Sequence, residues 1–201
     1  MKKLIHGIGA FFLIFSLFLQ VGEAVESGKP LRPADKVKVI LLISEQNIES
    51  PQRAWWASEV DLSVTEARVA QKLIEAGFEV LEPSALSKVV QQDKAFRMVD
   101  IQESKSIKLG NLAKADYVIV GKAVASSGGN VPQSNMRSCF ANITAKVIDV
   151  ENGKVIGYVD ASGSSAHMDV ISGGREALVN AAEDLAQKIT GTLSSEGGKC
   201  K

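Results

Sequence analysis

The sequence predicts an α/β fold: a single mixed sheet of about five strands, parallel crossovers first and an antiparallel hairpin after them, flanked by about four helices. Three observations carry this. The run Lys36-Val-Lys-Val-Ile-Leu-Leu-Ile-Ser44 opens with alternation and turns continuously apolar, as a strand covered on both faces does. A second such run, Ala115 to Val124, follows segments with helical spacing, which implies right-handed parallel crossovers. Glu151-Asn152-Gly153 then joins two alternating segments, and Asn-Gly in that setting is the strongest short hairpin signal.

Met1-Lys2-Lys3, the apolar run Ile8 to Leu19 and the small residues of Gly22-Glu23-Ala24 read as a secretory signal peptide cleaved after Ala24. The alternative is an uncleaved anchor, since Leu4 to Val21 matches a bilayer-spanning length. The small-residue stop favours cleavage and a periplasmic destination. Lipid attachment at this end needs a cysteine at the cleavage point, and the first cysteine is Cys139; no lipid anchor is expected. Residues 25–35, with two prolines and a glycine, read as a flexible arm. A single α/β domain is expected over residues 36–194 and a disordered tail over 195–201.

Within that domain the first helix spans Asp61 to Ala76, with Val69, Ala70, Leu73 and Ile74 at helical spacing, Asp61 or Ser63 as cap, and Gly77 as stop. Phe78 to Leu81 is a short strand. Pro83-Ser84 opens a second helix, lined by Leu86, Val89 and Val90, and a third runs from about Ser104 to Lys114 into the strand at Ala115. Ser126 to Asn135 reads as a polar loop. Cys139 to Val150 and Lys154 to Ser162 form the hairpin strands. Ser172-Gly-Gly-Arg-Glu opens a last helix striped by Leu178, Ala181, Ala182, Leu185, Ala186 and Ile189.

Charge and composition narrow the chemistry. With 23 Lys and Arg against 23 Asp and Glu, the chain has no general field to recruit nucleic acid or an anionic bilayer. Four of its phenylalanines, Phe11, Phe12, Phe15 and Phe18, leave with the leader, which leaves few rings for stacking bases. No nucleic-acid partner is expected. Metal binding fails on inventory, because His167 is the single imidazole after the leader and no cysteine pair has ligand spacing. No cofactor is implied: Gly121-Lys122 lacks the rest of a phosphate loop, and no dinucleotide fingerprint follows the first strand.

A hydrolytic triad would have to draw on His167, Asp160 or Asp169, and Ser162, Ser164 or Ser165. Such neighbours on one strand point to opposite faces and cannot converge, so no catalytic residue is assigned. Ser172, Gly173, Gly174 and Arg175 at a helix start combine free amides, the helix dipole and a guanidinium; either an anion site or a plain glycine-rich cap fits them. Cys139 and Cys200 are the only thiols. If they pair, they close a loop of about 60 residues, worth roughly 4 kcal/mol; the alternative is a buried Cys139 and an unpaired tail thiol.

Pro51-Gln-Arg-Ala-Trp-Trp-Ala-Ser58 lies between the first strand and the first helix, where parallel sheets bind their ligands. It holds both tryptophans. Arg53, Trp55 and Trp56 are the types that dominate interface energetics, so they are the candidate partner-binding residues; covering one end of the core is the structural alternative.

The order of Leu109-Gly110, Ala115-Asp-Tyr-Val-Ile-Val-Gly121, a variable loop, Ala145-Lys-Val-Ile-Asp-Val-Glu-Asn-Gly-Lys-Val155 and an Ala-rich helix resembles a recurring envelope domain. The group contains the middle domain of flagellar assembly protein T, the periplasmic part of the curli secretion channel, the lipoprotein activators of penicillin-binding proteins and the amino-terminal domain of TolB. The likeness spans about residues 36 to 193. It implies a non-catalytic scaffold that docks an envelope assembly, of flagellar or secretion type, by protein contact. Two departures matter: the chain lacks the lipidation cysteine, and Ser126 to Arg137 is too short and polar for a pore-forming strand pair. The partner stays unnamed, and self-association stays open. The competing reading is a periplasmic small-ligand-binding protein or enzyme with a pocket at the strand ends, near Ser44, Ser126 and Ser172.

Overall fold

The computed structural model describes residues 36–49, 63–81 and 101–197. One sheet organises them, with strand order β2-β1-β3-β4-β5. β1 (Lys38–Gln46) lies between β2 (Glu79–Leu81) and β3 (Tyr117–Asn130), parallel to both, with Val39 opposite Val80 and Tyr117. β4 (Arg137–Asp149) and β5 (Val155–His167) continue the sheet antiparallel. The mixed α/β sheet read from the sequence is therefore the sheet observed. Three helices flank it among the described residues: α1 (Val64–Glu75), α2 (Glu103–Ala113) and α3 (Val170–Gly197). The helix expected from Pro83, and with it a count of four, lies outside the described residues.

Local chemistry sets the boundaries. Ser63 caps α1, its Oγ accepting the Glu66 amide at 3.0 Å. Gly77 ends that helix at φ +96°, a conformation glycine adopts without strain. α2 packs closely because Gly110 has no side chain: a Cβ there would stand 2.6 Å from Val118 and 2.7 Å from Val150. Around Gly153 (φ +67°), the Asp149 carboxylate accepts the amides of Glu151 and Asn152 at 2.9 and 3.2 Å and fixes the hairpin turn.

The core has two parts. Val39, Leu41 and Ile43 of β1 face Val69 and Leu73 of α1 and the Leu185 and Ile189 stripe of α3. Ile40 and Leu42, on the other side, join Ile101, Leu109, Val118 and Val150. The whole predicted stripe of α3, Leu178 to Ile189, is buried.

Several boundaries differ from expectation, three of them near the end of the sheet where α3 begins. Ser126 to Asn130 is strand rather than loop, paired through Ser126 to Phe140 and Ser127 to Cys139, with an irregularity before Asn130 opposite Arg137. β5 continues past Ser162 to His167, because Ser164 and Ala166 pair with Phe140 and Ser138. α3 begins at Val170, not Ser172, and runs to Gly197, into the expected tail.

Candidate functional site

The carboxyl end of β1 is where a parallel sheet offers its crevice. There Ser44, Glu45, Ser63, Thr65 and Glu66 are all buried. Glu45 accepts the Thr65 amide at 2.7 Å, and Glu66 accepts the Ile43 amide at 3.3 Å, so two carboxylates tie the start of α1 to β1. Sequence reasoning missed this cluster: Glu45 lies at the end of an apolar run and reads there as a strand terminus. Ser44, expected to line a pocket, is 1% exposed. Arg53, Trp55 and Trp56 lie outside the described residues.

The start of α3 packs on the same end of the sheet. Asn47 donates from Nδ2 to Ile171 O at 3.1 Å, and a Cβ on Gly173 would lie 2.6 Å from Cys139 Sγ. Gly174 sits equally tight against Asn47 and Ile48. These glycines are thus contact residues that let the helix approach, which corrects their reading as a flexible cap. The cap is Asp169, whose Oδ2 accepts the Ser172 amide at 2.8 Å. Hydrogen bonds from Ser172, side chain first and then backbone, hold the Asp169 carboxyl below its ordinary range, with help from the Ile171 amide and the nearby His167. The Asp169 carboxylate thus takes up the Ser172 and Ile171 amides, which a glycine-rich start alone would have left open.

Cys139 is a free, fully buried thiol beneath this turn, its Sγ 3.8 Å from Val170 O. Cys200 lies outside the described residues.

β5 alternates as the triad argument requires. Asp160, Ser162 and Ser164 share one face, whereas Ser165 and His167 belong to the other. Ser165 Oγ donates to Gly173 O at 2.7 Å, and His167 Nδ1 accepts the Asp169 amide at 3.0 Å. Both groups thus serve the junction with α3, away from Asp160.

Among the described residues, two exposed surfaces bear on contact with other molecules. At the α3 start, Met136, Met168 and Ile171 are 43%, 72% and 47% exposed. Met136 and Met168 stand next in the chain to the cross-strand pair Arg137 and His167, and Asn47 links Ile171 to the end of β1. The second surface is the outer face of β3, β4 and β5, where Lys122, Phe140, Asn142, Thr144, Tyr158 and Asp160 are exposed. A hollow of about 360 Å³ lies there, lined in part by Ile101, Val120, Lys122, Thr144, Tyr158 and Asp160. Lys146 beside it is held by Glu103 at 2.9 Å.

β5 is an edge strand, yet its free side is not bare. Asn180, Asp184 and Lys188 recur every four residues on α3 and meet Ser164 O at 2.9 Å, Ser162 N at 3.4 Å and Asp160 O at 2.8 Å. Lys188 also donates to Asp184 at 2.7 Å, which holds that carboxyl below its ordinary range. The edge is answered by side chains of the chain's own helix.

No family model matches the chain, and no curated protein matches it. Solved structures resemble it in fold. Lipoprotein GNA1162 from Neisseria meningitidis is 15% identical over 81% of this chain and 99% of that one, with a TM-score of 0.41. The LpoB C-terminal domain from Salmonella enterica is 18% identical, over 63% and 81%, at 0.40. The hypothetical protein CT253 from Chlamydia trachomatis is 14% identical, over 80% and 96%, at 0.49. At such values the likenesses establish no activity and no partner for this chain.

Proposed function

We propose that the chain is exported and serves as a non-catalytic adaptor of a cell-envelope assembly, docking it through the end of the sheet that carries Met136, Met168 and Ile171. The observation behind this reading is the exposure of those three apolar side chains, two of them next in sequence to the Arg137–His167 pair and one in the first turn of α3. Grouped exposed apolar residues mark contact surfaces, and the pliable thioether suits one. Arg53, Trp55 and Trp56 remain the partner-binding candidates that the sequence offers, on the chemistry of their side chains. Export rests on the leader, residues 1–24, with cleavage after Ala24.

The test is a photo-crosslinking amino acid in place of Met168, activated in living cells. The expected result is one protein adduct in the envelope fraction, on a chain beginning at Val25, reduced at least tenfold by Trp55→Ala with Trp56→Ala. An adduct pattern no different from that of a probe at exposed Lys154, or recovery of the intact leader from the cytosol, overturns the reading. The hollow on the outer sheet face favours a second reading, a small-ligand-binding protein. A ligand of the native state would raise apparent stability by about 2.7 kcal/mol at a hundred times its Kd, which a thermal-shift screen detects.

A further inference from the structure

The outer face of β3, β4 and β5 is complementary to itself. In one row across the three strands stand Lys122, Thr144 and Asp160, each opposite the next. Lys122 and Asp160 are two strand spacings apart, about 10 Å. Among the described residues neither the Lys122 ammonium nor the Asp160 carboxylate has a hydrogen-bond or ion-pair partner. A cation and an anion at opposite ends of one exposed row, both unpaired, fit a surface with the same two charges in reverse order. We propose that this surface is a second copy of the chain, packed face to face about a twofold axis that runs along β4.

Such an axis keeps every row at its own level and exchanges β3 for β5. Lys122 of each copy then meets Asp160 of the other, giving two ion pairs across the contact. Residues on the axis meet themselves: Phe140 against Phe140, Asn142 against Asn142, whose amide both donates and accepts, and Thr144 against Thr144. Phe140 is 46% exposed and Tyr158 79%, and the exchange lays Tyr158 over Val120 of the other copy. The one like-charge encounter, Lys146 with its counterpart, is softened because Glu103 already neutralises each ammonium at 2.9 Å.

The edges are poorer routes to self-association. β5 is guarded by α3, and β2 has three residues. The face, roughly 15 Å by 25 Å, buries only about 750 Å² over the two copies, below the size of a stable interface, so the association is weak and transient, micromolar or weaker. This inference is independent of the docking end at Met136, Met168 and Ile171, and either can fail alone.

Sedimentation velocity of the purified, leader-free chain from about 5 to 500 μM covers that range. The expected result is a concentration-dependent dimer. Lys122→Asp and Asp160→Lys should each weaken it at least tenfold, and the double variant, which restores opposite charges across the axis, should recover it to within about threefold. Phe140→Asp should abolish it. Urea midpoints of all four variants within about 0.3 M of the parent separate lost pairing from lost fold, since a surface substitution leaves stability nearly unchanged. A monomer at every concentration, a dimer indifferent to the single swaps, or single-swap losses that the double variant does not recover would each overturn the proposal.

Discussion

In the parallel half of the sheet, β1 buries Val39, Leu41 and Ile43 on one side and Ile40 and Leu42 on the other. In the antiparallel half, β4 buries Cys139, Ala141, Ile143 and Ala145 under α3 but presents Phe140, Asn142 and Thr144 outward. Helices on both faces demand an unbroken apolar run, and a helix on one face demands alternation. The difference assigns the work. The middle of β1 has no side chain to spare for an outside molecule, whereas Phe140, Asn142 and Thr144 of β4 are free to meet one.

The contrast can be broken by stability measurements. Its largest expected effect is at Ile43, where truncation to Ala should cost about 2–5 kcal/mol in urea unfolding. Phe140→Ala, on the outer face, should stay within about 0.5 kcal/mol; equal costs would mean that the two halves are covered alike. Next comes Gly163, on the covered side of β5. A Cβ there would press into the backbone of Ala177 and Ala181, so Gly163→Ala should cost about 2–3 kcal/mol even though it adds one methyl group. A cost below about 0.5 kcal/mol would show that α3 rests loosely on this half.

The smallest effect is at the guarded edge. Asp184 is partly exposed, so Asp184→Asn should cost less than about 1 kcal/mol at neutral pH. Because the Lys188 hydrogen bond lowers the Asp184 pKa, its contribution is complete above the ordinary aspartate range and fades as pH falls through the lower folded value. The variant should therefore lose part of the acid sensitivity of the parent between neutral pH and about pH 3. Superimposable pH profiles would remove Asp184 from the account.

Much of the fold was legible in the residues. β1, the Ser63 cap, the Gly77 stop, the hairpin at Gly153 and the α3 stripe follow from patterns within a few positions of one another. What was not legible depends on partners far along the chain. Ser126 to Asn130 has loop composition, and only its ladder to β4 makes it a strand. Gly173 and Gly174 resemble a cap until Cys139, Asn47 and Ile48 close in on them. The row of Lys122, Thr144 and Asp160 is invisible in the sequence, because a shift of one residue in register would send those side chains to opposite faces. The alternation that keeps His167 from Asp160 could be read directly, since it needs only the period of a strand.

The guard on β5 carries a last consequence. A strand with an unanswered side accepts another, and that one a third, so an open margin turns any attraction between molecules into endless growth. Asn180, Asp184 and Lys188 close that margin with groups built into the helix that also roofs the core. Growth strand upon strand through this edge is therefore closed, and the chain's contacts are left to its face and its other surfaces.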